Sequence, residues 1–594
     1  MADTRSRESV PNFLFQKESI RMNQTRLLKK LEGFRKRNSS NPKFINKDIY
    51  RLLYDEDIYI IAYNAIKSNH GAETKGADGT SLDGFCMEWV YEIISNLRNE
   101  SYNPLPNKTQ LIPKKNGKMR KLGFPNGKDK LLQETVRIIL ECIYEPTFSD
   151  YSHGFRPQRS THTAMAQIEN WHGTSWFIEG DISACFDEID HRILEAILRE
   201  RIADERFIRL INKMLRAGYF DMQHEYHRTS SGTPQGSTCS PILANVYLDK
   251  LDRFMSEVGE RENLGRCRRK SSAYTSIQYQ IQKLRSGEYS AENGEQIRKL
   301  VRIRKSQPSV DMFDPKFRRL RYVRYADDFL VGVTASMQYS KSVRDEIKQF
   351  LLETLHLRLN MEKTKITHAH NEKAFFLGYF IQRGNKARRN KGNIRIKANI
   401  KGMIQKLHQN GLCNSDGFPN GITHFIPLPP EKIVTYGNQV LRGLVNQAIG
   451  CINFHECARI QYIVQFSVAK TLARKYDISL KKVFTKFGSS IRVDYLNENN
   501  KERRTQLALY PNFKRRRKYF YTMLTASKTP FTPIYNPHNP TKQPCTLCKS
   551  INNICMLHRK PVNLISRPNK SIIEYMIRIN RRQIPLCKLC YNSL

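Results

Sequence analysis

Tyr325-Ala326-Asp327-Asp328 lies between two apolar stretches that are broken by Arg321 and Arg324. The pattern reads as a β-hairpin with two carboxylates at its tip. Adjacent acids at the end of apolar strands repel each other and cost stability unless something offsets their charge. A second short apolar strand, Trp176 to Asp181, also ends in an acid. If the two strands are neighbours in one sheet, Asp181, Asp327 and Asp328 converge. Three such carboxylates can hold two Mg²⁺ ions, hard cations that prefer oxygen, in a clamp suited to phosphoryl transfer. The bland alternative for Asp327 and Asp328 is an acidic turn facing solvent.

Other residues fit around that clamp. Gly232-Thr233-Pro234-Gln235-Gly236 is a tight turn carrying an amide, ahead of a helix that Pro241 opens. Such a turn can approach a nucleotide and its template closely; a plain loop is the competing view. Arg120, with Lys114, Lys115 and Lys118 on a basic hairpin, can hold a triphosphate opposite the carboxylates, or can simply be solvated. Phe186, five residues beyond Asp181, can sit under a sugar and reject a 2′-hydroxyl, or can be an ordinary core ring. Far downstream, Cys545-Thr546-Leu547-Cys548 and Cys587-Lys588-Leu589-Cys590 have the spacing of two zinc-binding turns. Their four thiolates can close a tetrahedral structural Zn²⁺ site, with Cys555 as a fifth candidate ligand. Four unligated thiols are the alternative.

The elements needed to position these groups are legible in outline. Thr109 to Pro113 and Met119 to Phe124 read as strands around the basic turn, and Lys130 to Tyr144 as a helix. Ile189 to Arg199 is an amphipathic helix capped by Asp187 or Asp190, and Pro241 to Met255 another. Tyr322 to Val333 gives strand, turn, strand. Ser340 to Leu357 is helical, and Phe375 to Ile381 a strand. The polar, basic stretch from Gly259 to Asp314 reads as an insertion with surface helices, and Glu431 to Tyr476 as largely helical. Mixed strands and helices of this kind predict an α+β core.

Charge bounds the partner. The 594 residues include 99 Lys and Arg against 56 Asp and Glu, a formal net charge of +43. Nucleic acid is the commonest compensating partner for such an excess. Residues 381–420 hold nine basic residues and one acid, and residues 511–594 hold 16 basic residues and one acid, Glu574. No apolar run is long enough to span a bilayer, so no membrane partner is expected. Met1 to Glu8 carries charges of both signs and leads into no signal-peptide core. The 13 Cys are odd in number and unevenly spaced, which argues against a disulfide framework and for a reducing compartment.

Taken together these motifs resemble the reverse transcriptases encoded by mobile group II introns, which double as splicing maturases. The resemblance is carried by Ser152-His153-Gly154-Phe155-Arg156-Pro157, the Asp181 block, and Gly232 to Gly236 with Ser240-Pro241-Ile242-Leu243-Ala244-Asn245. Tyr325 to Asp328, Leu359-Asn360 with Lys363-Thr364, and Phe376-Leu377-Gly378-Tyr379 complete it. It implies a right-hand polymerase: an N-terminal helical extension over 1–110 and fingers and palm over 111–385 with the insertion near 259–314. A helical thumb, the maturase domain, follows over 386–510, then a basic DNA-binding linker over 511–540 and a small zinc-like module over 541–594. Asp181, Asp327 and Asp328 match the metal-binding acids. Lys115, Arg120, Phe186 and Gln235 match nucleotide contacts, Phe186 as the sugar gate. Leu377, Gly378 and Tyr379 match the primer grip.

Leu441 to Asn446 and Ala469 to Lys475 look like the maturase signatures, which points to RNA contacts at Arg442, Lys470, Arg474 and Lys475. The function implied is RNA-directed DNA synthesis combined with binding of the intron RNA lariat, with target DNA, primer and deoxynucleoside triphosphates as further partners. A bacterial cytoplasm and an organelle matrix both fit. Two alternatives compete: an RNA-binding splicing cofactor without polymerase activity, opposed by the intact acidic triad, and an RNA-directed RNA polymerase, opposed by Phe186. Relatives often end in an HNH endonuclease. Here Leu557 stands before His558 where adjacent histidines are expected, and Tyr591 follows the last cysteine, so the tail is expected to bind metal and DNA without cutting efficiently.

Overall fold

The computed structural model describes residues 26–69, 71–113, 119–287, 290–307, 309–311, 314, 316–384, 393–496, 500–516, 518–527, 536, 538–558 and 583–593. Helices α1 (Arg26–Ser40), α2 (Glu56–Ile66) and α3 (Met87–Arg98) come first. Strands β1 (Asn107–Pro113) and β2 (Met119–Phe124) then pair antiparallel, as their sequence predicts. The basic turn between them, Lys114 to Lys118, lies outside the described residues, and Lys115 with it. Helix α4 (Gly127–Tyr144) is buried along most of its length and is capped by Asn126, whose side chain accepts from the Asp129 amide at 2.7 Å. Helix α5 (Thr161–Glu169) leads to β3 (Trp176–Asp181).

A one-turn helix, α6 (Cys185–Glu188), follows β3 and carries Phe186. Helix α7 (His191–Arg199) is capped by Asp190, one of the two caps the sequence offers. Helix α8 (Glu205–Arg216) and the short strands β4 (Tyr219–Phe220) and β5 (Tyr226–His227) close the fingers region, whose sheet has the order β2-β1-β4-β5. The long helix α9 (Ser240–Glu262) runs behind the palm, with Pro241 in its first turn. The predicted insertion is a helical pair, α10 (Ser272–Ser286) and α11 (Ala291–Ser306).

Strands β6 (Arg319–Tyr325) and β7 (Asp328–Thr334), helix α12 (Met337–Leu355) and β8 (Lys365–His368) complete the palm, a sheet of order β6-β7-β3-β8. It packs on both faces: β7 is apolar along most of its length, whereas β6 carries Arg319, Arg321 and Arg324. Side chains alternate between two cores: Ile178, Phe329, Val331 and Val333 enter the first, with the fingers, while Phe177 and Leu330 enter the second, with the thumb.

The predicted single strand over Phe375 to Ile381 is in fact two, β9 (Ala374–Phe376) and β10 (Tyr379–Arg383), hydrogen-bonded to each other. Leu377 and Gly378 form the two-residue turn between them, with φ of 51° and 84°. Positive φ at both positions matches the tightest hairpin turns, and Gly at the second relieves the strain. Strand β11 (Ile394–Ala398) adds to β10 and carries the sheet across the expected palm–thumb boundary.

The thumb contains α13 (Ile400–Gln409), α14 (Pro430–Ala448), α15 (Cys457–Tyr476) and α16 (Leu480–Phe487), followed by the hairpin β12 (Arg492–Leu496) and β13 (Glu502–Gln506). The expected basic linker begins as part of the thumb instead. Helix α17 (Tyr519–Ser527) buries Phe520 in the second core, and Arg515 pairs with Glu169 at 2.6 Å. The aromatic run after the Arg-rich segment explains this: a large ring repays burial even in a very basic stretch.

The last described unit is the hairpin β14 (Ile554–His558) and β15 (Gln583–Cys587) with a short helix at Lys588–Asn592. It docks on the N-terminal region. The Met556 amide donates to the Phe85 carbonyl at 3.0 Å, the Gly84 amide donates to the Met556 carbonyl at 2.9 Å, and the Met556 side chain joins the first core. No helix among the described residues is long and apolar enough to cross a membrane.

Candidate active site

Strand β3 runs antiparallel to β7, and Asp181 is the register partner of Asp328. Tyr325 pairs with Asp328 across the hairpin, leaving Ala326 and Asp327 as its two-residue tip. The structure thus brings Asp181, Asp327 and Asp328 to one end of the palm sheet. Burial lifts the Asp327 carboxyl above the usual range, and Asp181 adds to the rise; the positive charges of Arg120 and Lys363 oppose it. Asp328 is pushed further, to about 7, by burial and by the charges of Asp327 and Asp181. Acids held so high want a cation beside them. Lys363 Nζ lies 2.9 Å from Asp181, and Asn360 Nδ2 donates to the same carboxylate at 3.0 Å. The three carboxylates are not among the described groups whose ligand atoms all lie within 4.8 Å of one another.

The hairpin tip is fixed from behind by a residue that its motif alone does not single out. Arg324 and Asp252 are fully buried and meet at 2.6 Å. Arg324 also donates to the Ala326 carbonyl at 2.9 Å, to Asn245 Oδ1 at 3.2 Å and to Ser152 Oγ at 2.8 Å. All five of its N–H groups are thereby used. Asn245 in turn donates to the Gly154 carbonyl at 2.9 Å. Gly154 lies against the tip so closely that a Cβ there would stand 2.4 Å from the Ala326 nitrogen. The segments from Ser152 to Pro157 and from Ser240 to Asn245 thus act together to bury and brace the acidic hairpin. The sequence signal was present, since a charge at an inward position of an apolar strand requires a buried partner.

Around the carboxylates, Arg120 lies exposed on β2, with its charge acting on Asp327. Phe186 is half-buried, and its carbonyl accepts from the Thr233 amide at 2.6 Å. Gln235 donates to Asp187 at 3.1 Å, so its amide is turned to the residue beside Phe186. The 228–235 loop and the fingers sheet enclose a cavity of about 300 Å³, with Gln235, Lys121 and Asn107 among its lining. Leu377 and Gly378 form the turn described above, and the Tyr379 hydroxyl donates to the Gln447 carbonyl at 2.9 Å, which ties that turn to the thumb.

On the thumb, Arg442 and Arg474 are exposed. Lys470, also exposed, and Lys475 donate to the Pro419 and Ile426 carbonyls, at 2.8 and 2.9 Å, and so hold the segment before α14 in place. In the tail, the thiols of Cys545, Cys548, Cys587 and Cys590 all lie within 4.8 Å of one another. Sulfurs at the corners of a tetrahedron with ~2.3 Å bonds stand about 3.8 Å apart, so the four are close to a zinc-binding arrangement. Cys555 is not in this set, and its thiol interacts with Cys86 of the fingers. His558 is buried against Asp83 and Glu73, away from the cysteines.

A palm of four strands with paired acids on adjacent strand ends, packed against a helical thumb, defines a right-hand nucleic-acid polymerase. Residues 112–267 match the family described as reverse transcriptase (RNA-dependent DNA polymerase), and residues 391–523 match type II intron maturase. The group II intron-encoded protein LtrA of Lactococcus lactis subsp. cremoris is 36% identical, over 80% of this chain and 83% of its own. A 91 kDa protein in the cob intron of Schizosaccharomyces pombe is 35% identical, over 96% of this chain and 72% of its own. The protein of COX1/OXI3 intron 2 in Saccharomyces cerevisiae is 33% identical, over 93% of this chain and 66% of its own. The chain belongs to the group II intron-encoded proteins and joins a reverse transcriptase to an intron maturase.

Proposed function

We propose that Asp181, Asp327 and Asp328 carry two-metal RNA-directed DNA synthesis. The observation behind this reading is the register pairing of Asp181 with Asp328, with Asp327 beside them at the tip. Buried carboxylates with raised proton affinity are oxygen donors suited to a hard divalent cation. Bound Mg²⁺ supplies charge neutralisation and stabilises both the attacking and the leaving oxygen. The primer 3′-hydroxyl attacks the α-phosphorus of a deoxynucleoside triphosphate; the new O–P bond forms, the α–β phosphoanhydride bond breaks, and pyrophosphate departs as the hydroxyl proton is lost.

Arg120, with Lys115 beyond the described residues, receives the triphosphate. Gln235 and Phe186 bound the nucleotide and its sugar. The Leu377–Tyr379 turn steadies the primer, with its tyrosine anchored to the thumb. Extension of a DNA primer on an RNA template tests the cation requirement. Synthesis should stop on chelation of divalent ions and return with Mg²⁺; synthesis that persists without them would refute the two-metal reading.

The same chain binds its intron RNA lariat through basic residues that extend in sequence well beyond the palm, in the segment 381–420, and through the exposed arginines Arg442 and Arg474. The RNA performs the splicing chemistry, while the protein supplies charge and position. Copying of the inserted intron then draws on target DNA and its primer. The cysteine module holds a structural Zn²⁺ and adds phosphate contacts to DNA. It does not cut DNA efficiently, because Leu557 cannot take a proton and His558 is committed to Asp83. Sequencing the RNA that co-purifies with the protein tests the maturase role: a discrete lariat is expected, and bulk cellular RNA would count against it.

A further inference from the structure

We infer that Phe155 is a positioning residue for the sugar gate, holding Phe186 where it selects deoxynucleotides over ribonucleotides. The inference rests on the proposed gate role of Phe186 and extends it to a second ring.

Phe155 has φ 56°, the left-handed region that a bulky residue avoids. Its ring is 55% exposed, so burial of apolar surface does not explain the conformation. Backbone strain of this kind persists only where the neighbours over-determine it, and it concentrates at functional sites. Here both flanks are pinned. On one side the His153 amide donates to the Arg324 carbonyl at 2.9 Å, and Gly154 is pressed against the tip of the acidic hairpin. On the other side Arg156 pairs with Glu145 at 2.9 Å and donates to the Ser149 and Ser152 carbonyls at 2.6 and 2.9 Å.

What the strained backbone achieves is the placement of a ring. Phe155 meets Phe186 with centroids 6.2 Å apart and ring planes at 85°, an edge-to-face contact. The Phe186 backbone is already held by Thr233, but its ring is half-buried at the edge of the site. A ring that must refuse a single hydroxyl has to keep its place to within a fraction of an ångström. Phe155 supplies that restraint from the segment that also braces Asp327 and Asp328, so gate and carboxylates share one rigid support.

Single-nucleotide primer extension by the full-length protein tests this, comparing kcat/KM for a deoxynucleotide and its matching ribonucleotide. Phe186→Ala should admit ribonucleotides. Phe155→Ala should lower the deoxy-to-ribo preference by roughly five- to ten-fold, the worth of one aromatic pair. Phe155→Tyr should retain it, and the double alanine variant should discriminate no worse than Phe186→Ala alone. If Phe186→Ala loses discrimination while Phe155→Ala keeps it, the gate stands and the inference fails. If Phe155→Ala slows both substrates equally, its role is merely structural and the inference also fails. If neither variant changes the preference, the gate reading falls and takes the inference with it. Should Phe155→Ala not fold, Phe155→Leu keeps the volume, loses the aromatic edge and is read the same way.

Discussion

Arg324 and Asp252 form a fully buried ion pair at 2.6 Å, two residues from the acidic tip that Arg324 also holds by its Ala326 carbonyl. Removing one partner of such a pair leaves an uncompensated buried charge, a loss of about 3–5 kcal/mol. Arg324→Ala should therefore lose that much in urea unfolding. Arg324→Lys should recover only part of it, because an ammonium cannot reproduce the five-donor fork. Near-neutral stability of Arg324→Ala would show that the bracing is dispensable.

His558 supplies a pH test of tail docking. Burial alone lowers its pKa, but the Asp83 carboxylate and, further off, Glu73 more than reverse this and raise it above the ordinary value. A histidine with a raised folded-state pKa stabilises the fold fully below its unfolded value of about 6.5, and that stability is lost as the pH rises through the folded value. The tail should thus resist limited proteolysis better at pH 6 than at pH 9, and His558→Gln should flatten the difference. Equal protection at both pH values would contradict the assignment.

Much of the palm is legible in the sequence, and what is not has physical causes. Strand β3 and the acidic hairpin are legible as apolar runs that end in acids, and the second run makes a solvent-facing turn the poorer reading. The turn at Leu377 is not legible, since Phe375 to Ile381 looks continuous to a period-2 pattern and only the positive φ of both turn residues shows the break. Helix α17 is hard to see behind Lys514 to Lys518, where local charge outweighs the single buried ring of Phe520. Docking of Met556 on Phe85 joins residues far apart in the chain, which no local pattern encodes. The Arg324–Asp252 pair was discoverable in kind, though its partner was not.

On the thumb the proposed RNA contacts can be told apart from lysines that bond the backbone. Lys470, though exposed, and half-buried Lys475 donate to backbone carbonyls, and Arg442 and Arg474 are exposed. Changing Arg442 and Arg474 to alanine should weaken intron RNA binding and reduce the salt slope of log K by about 1 per lost phosphate contact. Lys470→Ala should lower thermal stability more than it lowers affinity. The opposite ranking in a filter-binding salt series would reverse these roles.

The cysteine cluster predicts metal content. Purified full-length protein should carry one Zn²⁺ per chain, and Cys545→Ser with Cys548→Ser should abolish it. Because Met556 of the same module enters the first core, loss of zinc should also lower the melting temperature of the whole protein. Well-folded protein free of zinc would remove the structural claim.

The most direct test of the central claim is primer extension on an RNA template by protein carrying Asp327→Ala and Asp328→Ala. Synthesis should fall to background while binding of the intron RNA is retained, because the proposal assigns the chemistry to the acidic tip and the RNA to the thumb. Extension at the wild-type rate by that variant would contradict the assignment of Asp181, Asp327 and Asp328 as the centre of polymerisation.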